Sequence, residues 1–309
     1  MEISKLNKLI TPSGTMAISN KARKLKEQGK PVIGFGAGEP DFPTPQYVVE
    51  DVQLAAEDTS NHKYSPVAGL DILKEEIVRT SSLYSGINIG KENIVVSNGG
   101  KHAILTTFMS LLNPGDEVLI PSPYWTTYPE AVKISGGSPV IVNTEFDEDF
   151  KVNKNQLEAH KTSKTKVLVW VSPSNPTGVV YTKKEAEEIY NWAFENNIWI
   201  LSDELYEHLV YEGVTSPSPA QYDKELKNTI VINGVAKAYS MTGWRVGWII
   251  ANKEVIDMAK KIQSHATSNV SNLSQIAAYS ALKNGLDATN MMKESFNRRR
   301  INTINQFTQ

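Results

Sequence analysis

The chain lacks cysteine altogether, and that absence removes several classes of chemistry. Without a thiol there is no disulfide, no thiolate metal site and no cysteine nucleophile. The sequence also has no apolar run of membrane-spanning length, and residues Met1 to Lys8 lack the apolar core of a signal peptide. We therefore expect a cytoplasmic protein with no membrane partner.

Metal ligands and charge of one sign are also scarce. The five histidines are never paired at ligand spacing, so no metal site is expected. The formal net charge of the 309 residues is −2, and the one basic run, Arg298 to Arg300, is too short for a nucleic-acid site. With 40% hydrophobic and 21% charged residues, the composition is that of a soluble globular protein.

Seven short runs rich in β-branched and apolar residues are present, and most are continuous enough for strands buried on both faces. They are Ile94–Ser97, Val118–Ile120, Pro139–Val142, Val167–Val171, Ile198–Leu201, Ile230–Ile232 and Val246–Ile250. Several are followed by helical patterns, such as the one after Thr182, where Thr182 and Glu185 form a capping box. The pattern predicts an α/β architecture, with a seven-stranded, mostly parallel sheet flanked by helices.

The order of these segments predicts further features. Only about a dozen residues join the last two strands, too few for a crossover helix, so that pair should be antiparallel. The Gly/Pro-rich segment 34–45 marks a boundary, and beyond Lys253 two long helical patterns follow, the second reaching Gln309 without a C-cap, as in a chain cut short. We expect residues 1–45 to form an N-terminal arm and part of a small domain, 46–285 a large domain, and 286–309 the start of a C-terminal small α/β domain.

Chemically useful side chains follow several of the strands, where ligands collect in an open α/β sheet. The glycine pair in Asn98–Lys101 leads into a helix, and its amides suit either a phosphate or a plain tight turn. The segment Ser172–Gly178 holds Asn175 between two prolines, where its amide suits a phenolate oxygen, a carboxylate or an ordinary Asn-Pro turn.

Asp203 ends another strand, and Tyr206 follows it by three residues. A buried carboxylate there needs a cation, which a protonated pyridine nitrogen would supply. The alternative, an acidic pair holding magnesium, requires a Gly-x-x-x-x-Gly-Lys-Ser/Thr loop, and no segment fits it. A dinucleotide-binding fingerprint also fails, because Glu39 stands where its third glycine is needed.

Lys237 lies just after the run Thr229–Ile232, and Arg245 follows eight residues later. A lysine near a low-dielectric wall and a second cation has a lowered pKa, so its neutral amine can form a Schiff base with an aldehyde. The guanidinium of Arg245 suits a phosphate, or a surface ion pair. An aldehyde-capturing amine, a partner for a ring nitrogen, donors for a ring oxygen and a phosphate cradle together describe a pyridoxal 5′-phosphate site.

Seven landmarks occur in one order along nearly the whole chain. They are Gly36–Phe42, Lys63–Gly69, Gly99–Lys101, Pro121–Trp125, Ser172–Gly178, Ser202–His208 and the pair Ala236–Ala238 with Thr242–Gly247. With them the chain resembles the class I aminotransferases of the fold-type I pyridoxal-phosphate enzymes, in their bacterial and archaeal aspartate aminotransferase-like branch. The resemblance implies that fold and an obligate homodimer with shared active sites.

The resemblance also assigns roles to individual residues. It implies Lys237 as the catalytic Schiff-base lysine, and it implies a cofactor-binding set of Gly99, Gly100, Lys101, Trp125, Asn175, Asp203, Tyr206, Lys237 and Arg245, with Tyr64 reaching the phosphate in the neighbouring subunit. Asp203 would meet the pyridinium nitrogen, Asn175 and Tyr206 the phenolic oxygen, and Trp125 the ring face. Substrate would contact Gly38, Lys101, Trp125 and Asn175, with the distal carboxylate at Lys101 near Ser13 and Thr15.

The implied activity is amino-group transfer between L-aspartate and 2-oxoglutarate by a ping-pong mechanism. A carbon–sulfur β-lyase of the same fold and a prephenate or aromatic aminotransferase are alternatives. A cofactor-binding regulator would need an N-terminal DNA-binding module, for which residues 1–45 offer too little room and basic charge.

The sequence departs from the family pattern at two places. Gly234 and Ala236 stand where many relatives carry a serine, so phosphate binding would depend on the other donors. No position matches the arginine with which the family binds the substrate α-carboxylate.

Overall fold

The computed structural model describes residues 3–36 and 38–308. Met1, Glu2, Ala37 and Gln309 lie outside the described residues, and with them the last residue of the predicted final helical pattern. None of the helices within the described ranges is both long and apolar enough to cross a membrane.

The described residues form eleven α-helices and seven strands. The strands are β1 Ile94–Ser97, β2 Glu117–Ser122, β3 Ser138–Asn143, β4 Thr165–Val171, β5 Trp199–Asp203, β6 Thr229–Gly234 and β7 Gly247–Ile250. The helices are α1 Leu6–Leu9, α2 Gly14–Glu27, α3 Gln46–Glu57, α4 Asp71–Thr80, α5 Gly100–Leu111, α6 Thr127–Ile134, α7 Lys154–His160, α8 Lys183–Glu195, α9 Lys253–Ala266, α10 Asn272–Lys283 and α11 Asp287–Phe307.

All seven strands form one sheet in the order β1-β7-β6-β5-β4-β2-β3. Strand β7 is antiparallel to both of its neighbours, β1 and β6, and the pairs from β6 to β3 are parallel. The predicted seven-stranded, mostly parallel sheet with one antiparallel strand is confirmed.

Helices cover both faces of this sheet because successive strand residues point to opposite sides. Val95, Leu201 and Ile249 belong to a core that includes residues of α5, α6 and α9. Their neighbours in sequence point the other way, into two cores that include residues of α4 and α10 or of α7 and α8. Burial on both faces explains why the strands read as continuous apolar runs.

Residues 253–308 differ from the prediction of two long helices, because they form three. Ser268 adopts a left-handed backbone conformation, and Ser271 then caps α10 by accepting a hydrogen bond from the Ser274 N–H. Gly285, with φ +76°, separates α10 from α11. The capping box of Thr182 and Glu185 at the start of α8 is confirmed.

The strand register brings several strand ends to one edge of the sheet. Gly247 at the start of β7 pairs with both Ser97 and Gly234, the last residues of β1 and β6. Asp203, the last residue of β5, pairs with Ile232 of β6 and with Val171 of β4. The loops that leave these strands are therefore neighbours.

Gly247 allows the turn after β1 to approach the sheet. A Cβ at this position would lie 2.8 Å from the nitrogen of Gly100 and 2.8 Å from the carbonyl carbon of Gly99. Those contacts are to backbone atoms, which cannot move aside as a flexible side chain would. A side chain at position 247 would push the Gly99–Gly100 turn out of place.

We predict that Gly247→Ala lowers the free energy of unfolding by about 1–3 kcal/mol, because the methyl group overpacks a backbone contact. Urea unfolding at neutral pH measures this effect. Gly14→Ala is the matched control, since a Cβ at Gly14 meets nothing within 4 Å and alanine favours the helix that begins there. Equal stability of the two variants would contradict the prediction.

Candidate active site

Lys237 lies in the loop between β6 and β7, with its amine turned toward the N-terminal part of the chain. Its Nζ donates a hydrogen bond to the Gly38 carbonyl oxygen at 2.5 Å and lies 5.5 Å from the centroid of the Tyr206 ring. Burial lowers the pKa of Lys237, and Arg245 lowers it further, while the carboxylates of Glu39 and Asp203 oppose the shift. The net effect favours the neutral, nucleophilic amine.

The Gly/Pro-rich segment from Gly38 to Thr44 is bonded to the loop of Lys237 at several further points. Thr242 Oγ1 donates to a Glu39 carboxylate oxygen at 3.0 Å, and Ser240 Oγ donates to the Phe42 carbonyl. Thr44 Oγ1 donates in turn to the Ser240 carbonyl at 3.0 Å. Gly38, predicted to contact substrate, is thus held beside Lys237.

Asp203 is buried at the end of β5, with 4% of its surface exposed. The hydroxyl of Tyr128 donates to its Oδ2 at 2.7 Å, and the Leu205 N–H donates to its Oδ1 at 3.2 Å. Burial raises the pKa of Asp203, although these two hydrogen bonds and the charge of Lys237 act against the rise. A buried carboxylate of this kind gains from a cationic partner.

Tyr128 is a site residue that the sequence analysis did not identify. It lies in α6, three residues after Trp125, its side chain is 1% exposed, and the two rings meet edge to face at 5.7 Å. The only sequence signal is the place of Tyr128 three residues after Trp125, a predicted site residue that lies just before α6. An aromatic residue early in a helix otherwise suggests core packing, so its polar contact was not predictable.

Arg245 and the turn Gly99–Gly100 lie together at the same edge of the sheet. The guanidinium donates to the carbonyls of Thr242 at 3.0 Å and Asn98 at 3.4 Å, and a Cβ at Gly99 would lie 2.7 Å from its Nη2. Gly99 has φ +79°, and the N–H groups of Gly100 and Lys101 make no hydrogen bond within the described residues. Free first-turn amides beside a guanidinium form an anion-binding site.

Lys101 connects this edge to the N-terminal segment. Its Nζ lies 5.0 Å from the centroid of the half-buried Trp125 ring, and burial, followed by the charge of Arg245, lowers its pKa. Lys101 and Ser13 line one cavity of about 390 Å³, with Leu105, Ala131 and Ile134 among its apolar walls. The Ser13 and Thr15 hydroxyls are 2.9 Å apart, so the structure brings the predicted N-terminal residues close to this cavity.

Asn175 and Tyr206 share the lining of a cleft of about 610 Å³. Burial, aided by the charge of Asp203, raises the pKa of Tyr206 to about 12. Tyr206 therefore keeps its proton at neutral pH and can donate a hydrogen bond. Tyr64 lies apart from this group, since 91% of its side chain is exposed and it lines a different cleft with Asn61 and Asn269.

Glu204 is a second buried acid beside the site, and the sequence analysis gave it no role. It follows Asp203 directly and accepts hydrogen bonds from Ser202 Oγ and Ser218 Oγ, both at 2.6 Å. Burial, helped by the nearby Glu207 charge, raises the pKa of Glu204 to about 8 although the serine donors lower it. At neutral pH this side chain is largely uncharged and adds little repulsion to the Asp203 carboxylate.

A pH-dependent stability follows from Glu204. Its pKa rises from 4.5 when exposed to about 8 in the folded chain, so the folded state binds more protons between these values. The free energy of unfolding must then fall as pH rises through this window. We predict that Glu204→Gln removes this contribution, so that the variant gains several kilocalories per mole relative to the wild type between pH 4.5 and pH 8.

Urea unfolding at pH steps across that range measures the difference. Glu187→Gln is the matched control, because Glu187 is exposed and its variant should follow the wild-type curve. Parallel curves for wild type and Glu204→Gln would show that Glu204 is ionised in the folded state.

Comparison with known proteins gives consistent matches. Residues 30–309 match the family model described as aminotransferase class I and II. The aspartate aminotransferase of Streptomyces avermitilis is 50% identical over 292 residues, covering 94% of this chain and 72% of that protein. A probable aspartate/prephenate aminotransferase of Aquifex aeolicus is 39% identical, covering 97% of this chain and 76% of that protein.

A solved structure matches over the whole chain as well. The aspartate aminotransferase from Thermus thermophilus with maleate superposes with a TM-score of 0.96 at 37% identity, covering 100% of this chain and 80% of that one. Similarity at this level extends to the fold as well as to the sequence.

Proposed function

We propose, for a chain that belongs to the class I and II aminotransferases, that it transfers the amino group of L-aspartate to 2-oxoglutarate by a ping-pong mechanism. The family and the fold-type I architecture predicted from the sequence are confirmed, and the chain is a pyridoxal-phosphate-dependent transaminase. The names of its relatives support aspartate as the amino donor. The observation that carries the proposal is the placement of Lys237, Asp203 and Arg245 at one edge of the sheet.

The residues at this edge fit pyridoxal 5′-phosphate, which when bound supplies an aldehyde for amines and a ring that accepts electrons. The buried carboxylate of Asp203, which gains from a cationic partner, would hold the ring nitrogen protonated. Asn175 and the protonated Tyr206 would meet the ring oxygen, and Trp125 the ring face. The free amides of Gly100 and Lys101, with Gly99 and Arg245, would hold the phosphate.

Lys237 is the residue that we propose moves the proton. Burial and the nearby Arg245 favour its neutral form, so its Nζ can accept the proton on the substrate Cα and return it during the transfer. The Gly38 carbonyl, which accepts a hydrogen bond from Nζ, orients the amine within the site.

Tyr128 and Glu204 support Asp203 in this scheme. The Tyr128 hydroxyl and the Leu205 N–H fix the orientation of the carboxylate, which would then meet the ring nitrogen. The largely uncharged Glu204 leaves Asp203 as the nearby anion that balances a protonated ring.

Lys101 is the residue that we propose selects an acidic substrate. Its ammonium group lies over Trp125, and it also lines the cavity that Ser13 borders. A carboxylate on the substrate side chain would pair with it there. A second substrate, prephenate, is favoured by the apolar walls formed by Leu105, Ala131 and Ile134, which suit a ring, and relatives named aspartate/prephenate aminotransferases are consistent with it.

We further propose that the protein acts as a cytoplasmic homodimer on small-molecule amino acids and 2-oxo acids. The exposed Tyr64 supports this arrangement, because a side chain that is 91% exposed is free to contact the phosphate site of a second copy. A carbon–sulfur β-lyase of the same fold is the alternative activity, and it differs in the bond that is broken.

Lys237→Ala is predicted to lower turnover of L-aspartate with 2-oxoglutarate by at least about 10³-fold, because it removes both the amine and the proton acceptor. Oxaloacetate formation, followed with a coupled dehydrogenase, measures the loss. Borohydride reduction of the wild type with its cofactor should add mass to the peptide that contains Lys237, and Lys133→Ala should behave like wild type. Pyruvate and ammonia release from cystathionine without aspartate turnover would instead establish the lyase.

Lys101→Met is predicted to raise the KM for aspartate and 2-oxoglutarate by about 10-fold or more, because it removes a charge pair worth about 1.5–3 kcal/mol. The KM for alanine, which has no second carboxylate, should change little. Steady-state kinetics with the three substrates test this contrast, and Lys184→Met serves as the control because the Lys184 side chain is 86% exposed and pairs with Glu188. Equal losses for aspartate and alanine would rule out a role in substrate choice.

A further inference from the structure

The loop from Asn61 to Leu70 is held by three side-chain amides from α9 and α10, which we call the amide clamp (Gln263, Asn272 and Gln275). Asn272 Nδ2 donates to the carbonyls of Asn61 at 3.1 Å and Lys63 at 2.8 Å. Gln263 Nε2 donates to Val67 O at 2.7 Å, and Gln275 Oε1 accepts from the Leu70 N–H at 2.7 Å. The loop is therefore fixed at its start, middle and end.

The amide clamp is buried, and its side-chain donors are paired with backbone carbonyls. Gln263 and Gln275 are fully buried, and Asn272 is 6% exposed. A buried amide that loses its partner is costly, so these contacts resist rearrangement. The Val96 N–H also donates to the Ala68 carbonyl at 3.0 Å, which ties the loop to the outer side of β1.

Tyr64 is the exception within this fixed loop. It follows directly the Lys63 carbonyl that Asn272 holds, yet its side chain is 91% exposed. A rigid loop that presents an exposed aromatic side chain does not stabilise its own chain through that side chain. Such an arrangement lowers the ordering cost of a contact made with another molecule.

We propose that Asn272 is a positioning residue that presents the Tyr64 hydroxyl to the phosphate group bound in the second copy of the chain. The inference rests on the proposed function, which supplies the dimer and the cofactor. Asn272 touches neither cofactor nor substrate, and it acts by fixing the backbone on which Tyr64 stands. A tyrosine hydroxyl donates well to a phosphate oxygen, but only from a defined position.

A double-mutant cycle with cofactor affinity as its readout tests the proposal. Tyr64→Phe and Asn272→Ala should each weaken binding of pyridoxal 5′-phosphate by about 10-fold, measured by absorbance titration. In a Tyr64→Phe chain, Asn272→Ala should add no further loss. Asn228→Ala is the control, because the buried Asn228 amide donates to the Ile198 carbonyl at 2.9 Å and makes no hydrogen bond with the loop. This variant should leave cofactor affinity unchanged.

Mixed dimers with Lys237→Ala separate action on the neighbour from action within one chain. A dimer of Asn272→Ala with Lys237→Ala has its live site in the Asn272→Ala subunit, served by an unaltered Tyr64 loop, so its activity should saturate at the wild-type cofactor concentration. A wild-type chain paired with the Asn272→Ala/Lys237→Ala double variant should instead need about 10-fold more cofactor.

Four results would overturn the proposal. They are additive losses in the cycle, a defect that stays within the Asn272→Ala chain, full affinity in Tyr64→Phe, and restoration of affinity in Asn272→Ala by an unrelated stabilising condition such as lower temperature. Partial retention of affinity in Asn272→Gln, which keeps an amide donor, or in Asn272→Ser, which offers a hydroxyl donor, would support it. A wild-type chain that binds no cofactor would refute the proposed function as well. If the wild-type chain binds cofactor normally and Tyr64→Phe leaves that affinity unchanged, only this inference is refuted.

Discussion

The site depends on one constraint, the pairing of Gly247 with both Ser97 and Gly234. This register places the ends of β1 and β6 on either side of the start of β7. Two loops leave these residues, one with the glycine turn and the other with Lys237 and Arg245, so a slip of one residue in β7 would separate them. Because β7 is antiparallel to β6, the short connection between them stays at one edge of the sheet. Lys237 and Arg245 both lie in this connection and therefore at the same edge.

The electrostatic balance of the site follows from burial at that edge. Burial raises the pKa of Asp203 and lowers that of Lys237, so the two groups that would be oppositely charged in water are both driven toward neutrality. Tyr128 limits this effect at Asp203 by donating a hydrogen bond, and Arg245 strengthens it at Lys237. A ring cation would return charge to Asp203 without charging Lys237.

The sequence predicted the sheet well, because buried parallel strands leave continuous apolar runs and turns leave glycine and proline. The residues at strand ends could be predicted for the same reason, since Lys237, Asp203 and Asn175 each follow such a run. Tyr128 could not, because its hydroxyl meets Asp203 only after α6 packs on the sheet. Gln263, Asn272 and Gln275 are similar, since an amide in a helix gives no sign of the distant carbonyl it binds. The break between α9 and α10 was missed because Ser268 adopts a backbone conformation that serine rarely takes.

The hydrogen bond from Lys237 Nζ to the Gly38 carbonyl makes the state of the amine and the docking of the segment from Gly38 to Thr44 mutually dependent. When the amine engages another partner, the segment loses one attachment and keeps those through Ser240, Thr242 and Thr44. By thermodynamic reciprocity, whatever holds the segment in place must also bias the amine against leaving it. The stretch before α3 therefore helps to set the position of the amine, and its own docking depends in part on that amine.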